Sequence, residues 1–408
     1  MKKVELLAPA GDLEKLKIAV MYGADAVYFG GESFSLRAGA GNFTLDEMKE
    51  GITFCHERGV KCHMALNIFA HNEDIGPFTE YLRSVKDLGI DAFIAADPGV
   101  IDMIWEVMPD AEVHLSTQAN MTNYRTAKFW HDRGIRRLVL ARELTLEEIR
   151  EMRKNIPPDM ELEAFVHGAM CISYSGRCLL SNFMIERDAN RGMCAHPCRW
   201  KYALVEQQRP GEYYPVEEDD RGTYIMNSKD LCLIEHLPQL IDAGISSFKI
   251  EGRMKSVFYV ATVVSAYRKA IDSYFKDPQS YSFRQQWMED LCKASHREFT
   301  TGFYFHKPDN LDQNYRTSDY TRDYSFVGIV KSYDPDTGYA KVEQRNKMVL
   351  GDRVEVFGPM TDFFEQEISE MYDEEGEAIS SAPHPQQIIK IKMEKPVEPF
   401  FMLRKRRE

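Results

Sequence analysis

Short apolar or β-branched runs alternate with helical patterns from the N-terminus to about residue 250, at a repeat of roughly 25 residues. This alternation predicts repeated βα units and a parallel sheet. Eight runs are strand candidates: residues 4–7, 26–29, 61–67, 92–95, 112–116, 137–140, 161–166 and 247–250. An open doubly wound sheet would give the same pattern. We favour a closed (β/α)8 barrel because there are eight runs and no glycine-rich dinucleotide fingerprint follows the first.

The intervening segments predict helices at residues 12–21, 44–57, 75–88 and 145–154. Thr145 and Glu148 are spaced as a capping box at the start of the last of these.

The alternation of strand and helix patterns is interrupted after the seventh run. There an insertion at 167–227 precedes a helix that we expect to begin near Lys229. We expect the barrel to span residues 1–277 with this insertion over its active-site face, and residues 278–323 to form a linker or lateral packing segment. Residues 324–408 predict a small all-β domain, with strands at 325–332, 339–343, 352–357 and 387–393.

The formal net charge of −13 argues against non-specific coating of nucleic acid, although a local basic cleft remains possible. The basic run from Arg404 to Arg407 is predicted to be either solvated or in contact with phosphates. The apolar run after Met1 is too short for a signal peptide, and no segment is apolar and long enough to span a membrane. We therefore expect a cytoplasmic protein whose eight cysteines are reduced.

Four of those cysteines lie in the insertion: Cys171, Cys178, Cys194 and Cys198. Six, fifteen and three residues separate them. Four thiolates suit a [4Fe-4S] cluster, and they also suit zinc. Structural zinc sites usually show two close pairs of cysteines, and here only one pair is close, so the spacing favours the cluster and leaves zinc as the alternative. Cys55, Cys62, Cys232 and Cys292 are interpreted as core residues.

Five segments together resemble the collagenase-like peptidase family U-32, namely residues 8–11, 23–28, 163–181, 191–194 and 249–253. The longest reads EAFVHGAMCISYSGRCLLS, and the matches extend over the whole predicted barrel. The resemblance implies that the four cysteines named above are the ligands of an iron-sulfur cluster. It also implies that the C-terminal β domain is the extra domain usual in this family.

Members of this family are associated with hydroxylation despite the name. The sequence NSKDL at 227–231 and the C-terminal domain are most similar to a branch that acts on tRNA. That resemblance implies conversion of the wobble uridine in the tRNA anticodon loop to 5-hydroxyuridine, without molecular oxygen and with prephenate as the source of the hydroxyl. Relatives act on ribosomal RNA cytidine or, in a two-protein complex, on ubiquinone precursors, so substrate and oligomeric state stay open.

The sequence KIEGR at 249–253 places charged residues at the C-terminal end of the eighth strand, where barrel enzymes keep their active sites. Lys249 and Glu251 are candidate catalytic residues, and Arg253 is a candidate binder of a dicarboxylate such as prephenate. The alternative is a structural ion pair between Lys249 and Glu251. His167, at the end of the seventh strand, is a third candidate catalytic residue.

Four further residues at or after strand ends are candidate substrate ligands: Arg37, Asn67, Gln118 and Arg142. Each has the alternative role of tying down loop backbone. Tyr174, Trp200 and Tyr202 are candidate platforms on which a base could stack, although such aromatic residues are more often part of a core.

Two other classes of function compete with hydroxylation. A peptidase would need an activated nucleophile or a metal-bound water, but the sequence contains neither an H-E-x-x-H motif nor a G-x-S-x-G elbow. A non-catalytic scaffold that holds a structural metal and binds RNA or protein is the third possibility.

Overall fold

The computed structural model describes residues 3–31, 34, 42–171, 173–174, 177–187, 189, 193–200, 203–204, 214–215, 229–306 and 320–407. Its strands, in chain order, are β1 (Glu5–Pro9), β2 (Ala26–Phe29), β3 (Lys61–Ala65), β4 (Ala92–Ala95), β5 (Val113–Leu115), β6 (Arg137–Val139), β7 (Glu161–Ala169), β8 (Ala203–Leu204), β9 (Tyr214–Pro215), β10 (Asp230–Cys232), β11 (Ser247–Ile250), β12 (Phe299–Thr300), β13 (Tyr324–Asp334), β14 (Tyr339–Gln344), β15 (Met348–Val349), β16 (Arg353–Phe357), β17 (Phe364–Glu367), β18 (Met371–Tyr372), β19 (Ser381–Ala382), β20 (Ile388–Lys392) and β21 (Met402–Arg406).

The helices are α1 (Leu13–Met21), α2 (Leu45–His56), α3 (Ile75–Val85), α4 (Pro98–Val107), α5 (Tyr124–His131), α6 (Leu146–Asn155), α7 (Leu180–Ile185), α8 (Leu237–Asp242), α9 (Val257–Lys276) and α10 (Gln285–Lys293). The predicted capping box of α6 is present, since Thr145 accepts from the Glu148 N–H and Glu148 bonds back to Thr145. None of the described helices combines the length and the apolar content that a membrane span requires.

Eight parallel strands close into a barrel. β1 to β7 pair in sequence, and β11 pairs with both β1 and β7. Leu6 and Ala8 on β1 pack in the core beneath the helices, whereas Leu7 between them belongs to a small cluster in the barrel interior with Tyr28 and Ile94. Successive residues of a strand point to opposite faces, which explains this alternation. The predicted (β/α)8 barrel is confirmed.

The prediction of a helix that begins near Lys229 is wrong. Residues 230–232 form β10, which lies antiparallel to β7 and parallel to β12, and helix α8 begins only at Leu237. The apolar spacing after Lys229 fits a helix locally, but backbone pairing on two sides stabilises the strand instead. Cys232, predicted to be in the core, is buried there.

The C-terminal residues form an antiparallel sheet in the order β17-β16-β21-β13-β14-β20-β18. The small all-β domain is therefore confirmed. The basic tail is part of it rather than solvated throughout, because β21 pairs with both β13 and β16. Arg404 is 2% exposed and binds Glu355.

The β domain packs directly on the barrel. Ile329, Phe357 and Met402 belong to the same apolar core as the barrel helices. The ring of Phe326 stacks on that of Phe258 in α9, with centroids 5.7 Å apart. This contact places the first residues of β13 beside the barrel mouth.

Candidate active site at the barrel mouth

A cavity of about 690 Å³ opens at the C-terminal ends of the barrel strands. Its wall is built from the segments that follow β3, β5, β6, β7 and β11, from the cysteine-bearing insertion and from the C-terminal domain. Barrel enzymes build their active sites at this face because the loops after all eight strands converge there. The cavity is therefore the candidate active site.

All four insertion cysteines line this cavity. None of them is in a disulfide; Cys171 is exposed and the other three are half-buried. The backbone N–H of His196 points at the sulfur of Cys194 over 3.4 Å. Four reduced thiols around one cavity, one of them already accepting a backbone N–H, are a suitable donor set for a thiolate-bound metal group.

The spacing of these sulfurs bears on which group they suit. Among the residues that the structure describes, no three of the four sulfur atoms lie within 4.8 Å of one another. Tetrahedral zinc with Zn–S bonds of about 2.3 Å would bring its sulfurs to about 3.8 Å apart. A four-iron cluster takes one thiolate at each iron and so spreads the thiolates farther apart. The four thiols suit a thiolate-bound metal group, with an iron-sulfur cluster as the expectation from the sequence and zinc as its alternative.

A different trio of potential metal ligands does lie close together, at the opposite end of the barrel. His56, Cys62 and Asp91 come within 4.8 Å of one another. The Asp91 carboxylate accepts from the His56 ring at 2.9 Å and from the Cys62 N–H at 2.7 Å. These contacts tie the end of α2 to the starts of β3 and β4, which accounts for the group structurally. Cys55 and Cys62 are buried as predicted, whereas Cys292 is only half-buried.

Lys249 forms the floor of the cavity, and its ion-pair partner is Glu163 of β7. The Lys249 Nζ lies 2.6 Å from the Glu163 Oε1, and both side chains are buried. The same ammonium lies 4.6 Å from the centre of the Tyr28 ring and 5.5 Å from that of Phe165. Of the described residues, Glu163 rather than the anticipated Glu251 is the carboxylate that pairs with Lys249.

Burial and charge act in opposite directions on this pair. Burial lowers the pKa of Lys249, and the Glu163 carboxylate opposes that effect. Burial on its own would raise the pKa of Glu163, but Lys249 and Arg137 outweigh it and hold that pKa below its ordinary value. Glu163 therefore stays ionised and fixes the ammonium at the bottom of the cavity.

Arg142 and Gln118 line the cavity from neighbouring strand ends. The Arg142 guanidinium donates to the Ala169 carbonyl over 2.9 Å and lies 4.0 Å from the Phe165 ring centre. Gln118 is 2% exposed, and its amide nitrogen has no hydrogen-bond partner among the described residues. A buried amide donor without a partner on the wall of a cavity is suited to bind a ligand oxygen.

Asn67, Glu251 and Arg253 also line the cavity. Gly11 allows the backbone of Arg253 to approach closely, because any Cβ at residue 11 would overlap the carbonyl oxygen of Arg253. This explains why glycine follows β1 in the sequence.

His167 does not reach the cavity wall as described. β7 contains an extra residue between Phe165 and His167, which pair with the consecutive Lys249 and Ile250. This bulge turns His167 to the outer face, among the rings of Tyr259, Tyr267 and Phe299. Burial lowers the pKa of His167 to about 3. The structure thus separates His167 from the other candidate catalytic residues.

Arg37 lies outside the described residues, as does Tyr202. Tyr174 and Trp200 are exposed, as stacking platforms would have to be.

The cavity wall is strongly basic. Among the described residues it carries six cationic side chains and one carboxylate, that of Glu251. The cations are Arg142, Lys249, Arg253, Lys255, Arg322 and Arg407. Sequence reasoning missed Glu163, Lys255 and Arg322. The alternation of Glu161 and Glu163 along one strand was the available signal for the first of them.

Comparison with known sequences settles the family. The profile of peptidase family U32 matches residues 11–314, and that of the family's C-terminal domain matches residues 322–404. This chain belongs to peptidase family U32. Of the motif residues of this U32 protein, Cys171, Cys178, Lys249, Glu251 and Arg253 lie on the cavity wall.

Three relatives of this U32 protein show the range of names in the family. It is 46% identical to tRNA hydroxylation protein P1 of Bacillus subtilis (strain 168), over 99% of this chain and 95% of the relative. It is 38% identical to tRNA hydroxylation protein P of Escherichia coli (strain K12), over 94% of this chain and 92% of the relative. A protein of Porphyromonas gingivalis (strain ATCC BAA-308 / W83) named collagenase is 33% identical, over 90% of this chain and 89% of the relative.

Proposed function

We propose that this U32 protein hydroxylates the wobble uridine of tRNA to 5-hydroxyuridine, without molecular oxygen and with prephenate as the hydroxyl donor. The observation that carries the proposal is the cavity at the barrel mouth, where four cysteines that form no disulfide and six cations meet in an otherwise acidic protein. The names of two relatives, identical at 46% and 38% of positions, supply the reaction class. This function places the protein in the cytoplasm, where tRNA is found.

Cys171, Cys178, Cys194 and Cys198 would hold a [4Fe-4S] cluster. When bound, the cluster would supply redox chemistry at the barrel mouth. The protein's contribution is to place these thiols on the same wall as the cations, so that substrate and cluster would share one cavity.

The inner cations of the cavity suit a small dicarboxylate. Lys249, Arg253 and Arg142 lie near the floor, and the first two are buried. Arginine can hold a carboxylate through two parallel hydrogen bonds, while the Gln118 amide can donate to a neutral or anionic oxygen. We assign these four residues to binding and orienting prephenate, with Asn67 beside them and Glu251 available to hold or move a proton.

The nucleobase would enter from the open side of the cavity. A base must leave its stack to reach such a site, and this costs least in a single-stranded loop. The exposed rings of Tyr174 and Trp200 offer stacking surfaces in the insertion. Phe165 and Tyr28 at the floor exclude water from the buried ammonium of Lys249.

Proteolysis is the second candidate, favoured by the name collagenase of the Porphyromonas gingivalis relative. It requires a free nucleophilic cysteine or an activated serine in the same cavity. Degradation of gelatin by the anaerobically purified protein, without formation of modified tRNA, would favour it over hydroxylation.

The hydroxylation proposal is tested in a bacterial strain that lacks its own tRNA hydroxylation proteins. Expression of this chain should restore 5-hydroxyuridine in digested tRNA, measured by mass spectrometry, in cultures grown with or without oxygen. Blocking the synthesis of prephenate should abolish the product. Absence of the nucleoside although the protein is present in soluble, iron-loaded form would refute the proposal.

A further inference from the structure

The cations of the cavity fall into two groups that differ in burial. Lys249 and Arg253 are buried at the floor, whereas Arg322 and Arg407 are exposed and Lys255 is half-buried. We call Lys255, Arg322 and Arg407 the outer rim. A small dicarboxylate held by the buried group does not need the outer rim, which raises the question of what the rim binds.

The outer rim is assembled from three distant parts of the sequence. Lys255 follows β11, Arg322 precedes β13 and Arg407 follows β21. The backbone N–H of Arg407 bonds to the Asp323 carbonyl at 2.7 Å, which continues the pairing of β13 with β21 and sets the two arginines near each other. The C-terminal domain thus supplies part of the cavity that the barrel alone lacks.

No carboxylate of the described residues neutralises these three cations. The Arg407 guanidinium donates to the Ser325 hydroxyl at 2.9 Å, and Lys255 lies over the rings of Tyr320 and Tyr259, at 4.1 and 5.1 Å from their centres. Arg322 makes no ion pair, hydrogen bond or ring contact with any described residue. In a protein of net charge −13, three cations without acidic partners on one rim indicate attraction of an external anion.

Aromatic side chains are interleaved with the outer rim. Tyr320, Tyr324 and Phe326 line the cavity beside these cations, and all three are half-buried, the ring of Phe326 being packed on Phe258. Alternation of cations with aromatic rings along a groove is typical of sites for single-stranded nucleic acid, where phosphates meet the charges and bases stack on the rings. A small carboxylate would not need such an extended arrangement.

We propose that Lys255, Arg322 and Arg407 bind the phosphates next to the nucleotide that enters the barrel, so that the C-terminal domain is part of the RNA-binding site. The inference rests on the proposed function and names the surface through which the RNA is held. The rim is held in place by the stacking of Phe326 on Phe258 and by the ion pair of Lys293 with Glu355, 2.9 Å apart.

The test compares the Arg322→Ala/Arg407→Ala variant with a matched control, Arg353→Ala/Arg406→Ala. Both control arginines are exposed on the same domain, outside the cavity wall as described, and their loss changes the net charge equally. The full chain is purified without oxygen, and its affinity for a fluorescent anticodon stem-loop RNA is measured by anisotropy over a range of salt concentrations. Equal midpoints of thermal unfolding would show that both variants are folded.

We expect the rim variant to bind at least about fivefold more weakly at low salt. The slope of log affinity against log salt should fall by about 0.7 for each lost phosphate contact on a single strand, or about 1.4 in total. Arg322→Lys/Arg407→Lys should recover most of the slope because it keeps the charges. The control should behave as the unmodified chain.

Two results would overturn the inference while leaving the function intact. In the first, the rim variant keeps the full salt slope although the unmodified chain forms 5-hydroxyuridine. In the second, polyglutamate displaces the RNA from the unmodified chain as well as unlabelled stem-loop does, which would indicate general attraction of anions. If the unmodified chain forms no 5-hydroxyuridine at all, the proposed function fails first.

Discussion

Glu163 and Lys249 show how a single buried contact serves both the fold and the site. Their ion pair lies in the barrel interior, and Arg137 holds the other side of the same carboxylate at 3.4 Å. Removing one partner of a buried ion pair leaves the other charge without compensation, and this costs far more than losing a surface pair.

Glu163→Gln should therefore lower the free energy of unfolding by about 3–5 kcal/mol and release the Lys249 ammonium from its position. Glu161→Gln is the matched control, since Glu161 lies on the same strand and also binds Arg137, over 2.6 Å, but is partly exposed. Glu161→Gln should lower the free energy of unfolding by markedly less. Urea denaturation of both variants measures the difference, and equal costs would contradict the role given to Lys249.

The lowered pKa of buried His167 should make the stability of the protein depend on pH. Its pKa is about 3 in the folded protein, below the ordinary value of 6.5. Below pH 6.5 the unfolded chain gains a proton that the folded protein does not accept, so stability falls as the pH drops from 6.5 towards 3. His167→Phe, which suits the surrounding aromatic rings, should reduce this loss between pH 6.5 and 4.5. Urea denaturation at several pH values checks it, and identical curves would refute the assignment.

At the scale of elements, the strands of the barrel were predictable because each is a short apolar run between helical patterns. Residues 26–29 and 92–95 match the observed strands in full. Two features were not predictable. The strand at 230–232 depends on pairing with β7 and β12, which are distant in sequence. The bulge in β7 reverses the side to which His167 points, and no local pattern marks it.

The residues of the candidate site likewise divide into those that could be predicted from the sequence and those that could not. The four cysteines, Arg142 and Gln118 could be named from the sequence because their types and their places near strand ends are local information. The pairing of Lys249 with Glu163 depends on β11 closing the barrel against β7. The contribution of Arg322 and Arg407 depends on how a second domain packs on the first, which no local pattern contains.

The loop between β1 and α1 supports the site although residues 10–12 are not among the described cavity-lining residues. Gly11→Ala would push the Arg253 carbonyl away, so hydroxylation should fall by roughly tenfold to a hundredfold. Gly76→Ala is the control, because a Cβ there meets no atom within 4 Å and helix α3 gains propensity. Its activity should be unchanged. Formation of 5-hydroxyuridine by the two purified variants measures this, and equal activities would show that Gly11 does not position the site.

At the scale of the whole molecule, the barrel and the C-terminal domain share apolar core residues and a buried charged contact. Arg404 binds Glu355 at 2.6 Å, and Lys293 of α10 binds the same carboxylate. We expect one cooperative unfolding transition for the intact chain, because neither part can open without exposing core residues of the other.

Arg404→Met should destabilise the chain by about 1–3 kcal/mol, because Glu355 keeps only Lys293 as a partner and Asp290 of α10 loses its contact with the C-terminal domain. Calorimetry should then resolve two transitions in place of one. Arg353→Met, on the exposed start of β16, should change stability by less than about 0.5 kcal/mol. A single, unshifted transition in the Arg404 variant would show that the two domains are held together by other contacts.

We propose that the cysteine-lined basic cavity is the site of tRNA hydroxylation. The most direct test of this proposal is the 5-hydroxyuridine content of tRNA from cells that carry Cys178→Ala or Cys292→Ala in place of the natural chain. Both cysteines are half-buried, but of the two only Cys178 is on the cavity wall described here. We expect Cys178→Ala to abolish the modified nucleoside and the bound iron, and Cys292→Ala to retain both. Normal 5-hydroxyuridine in the Cys178→Ala cells would contradict it.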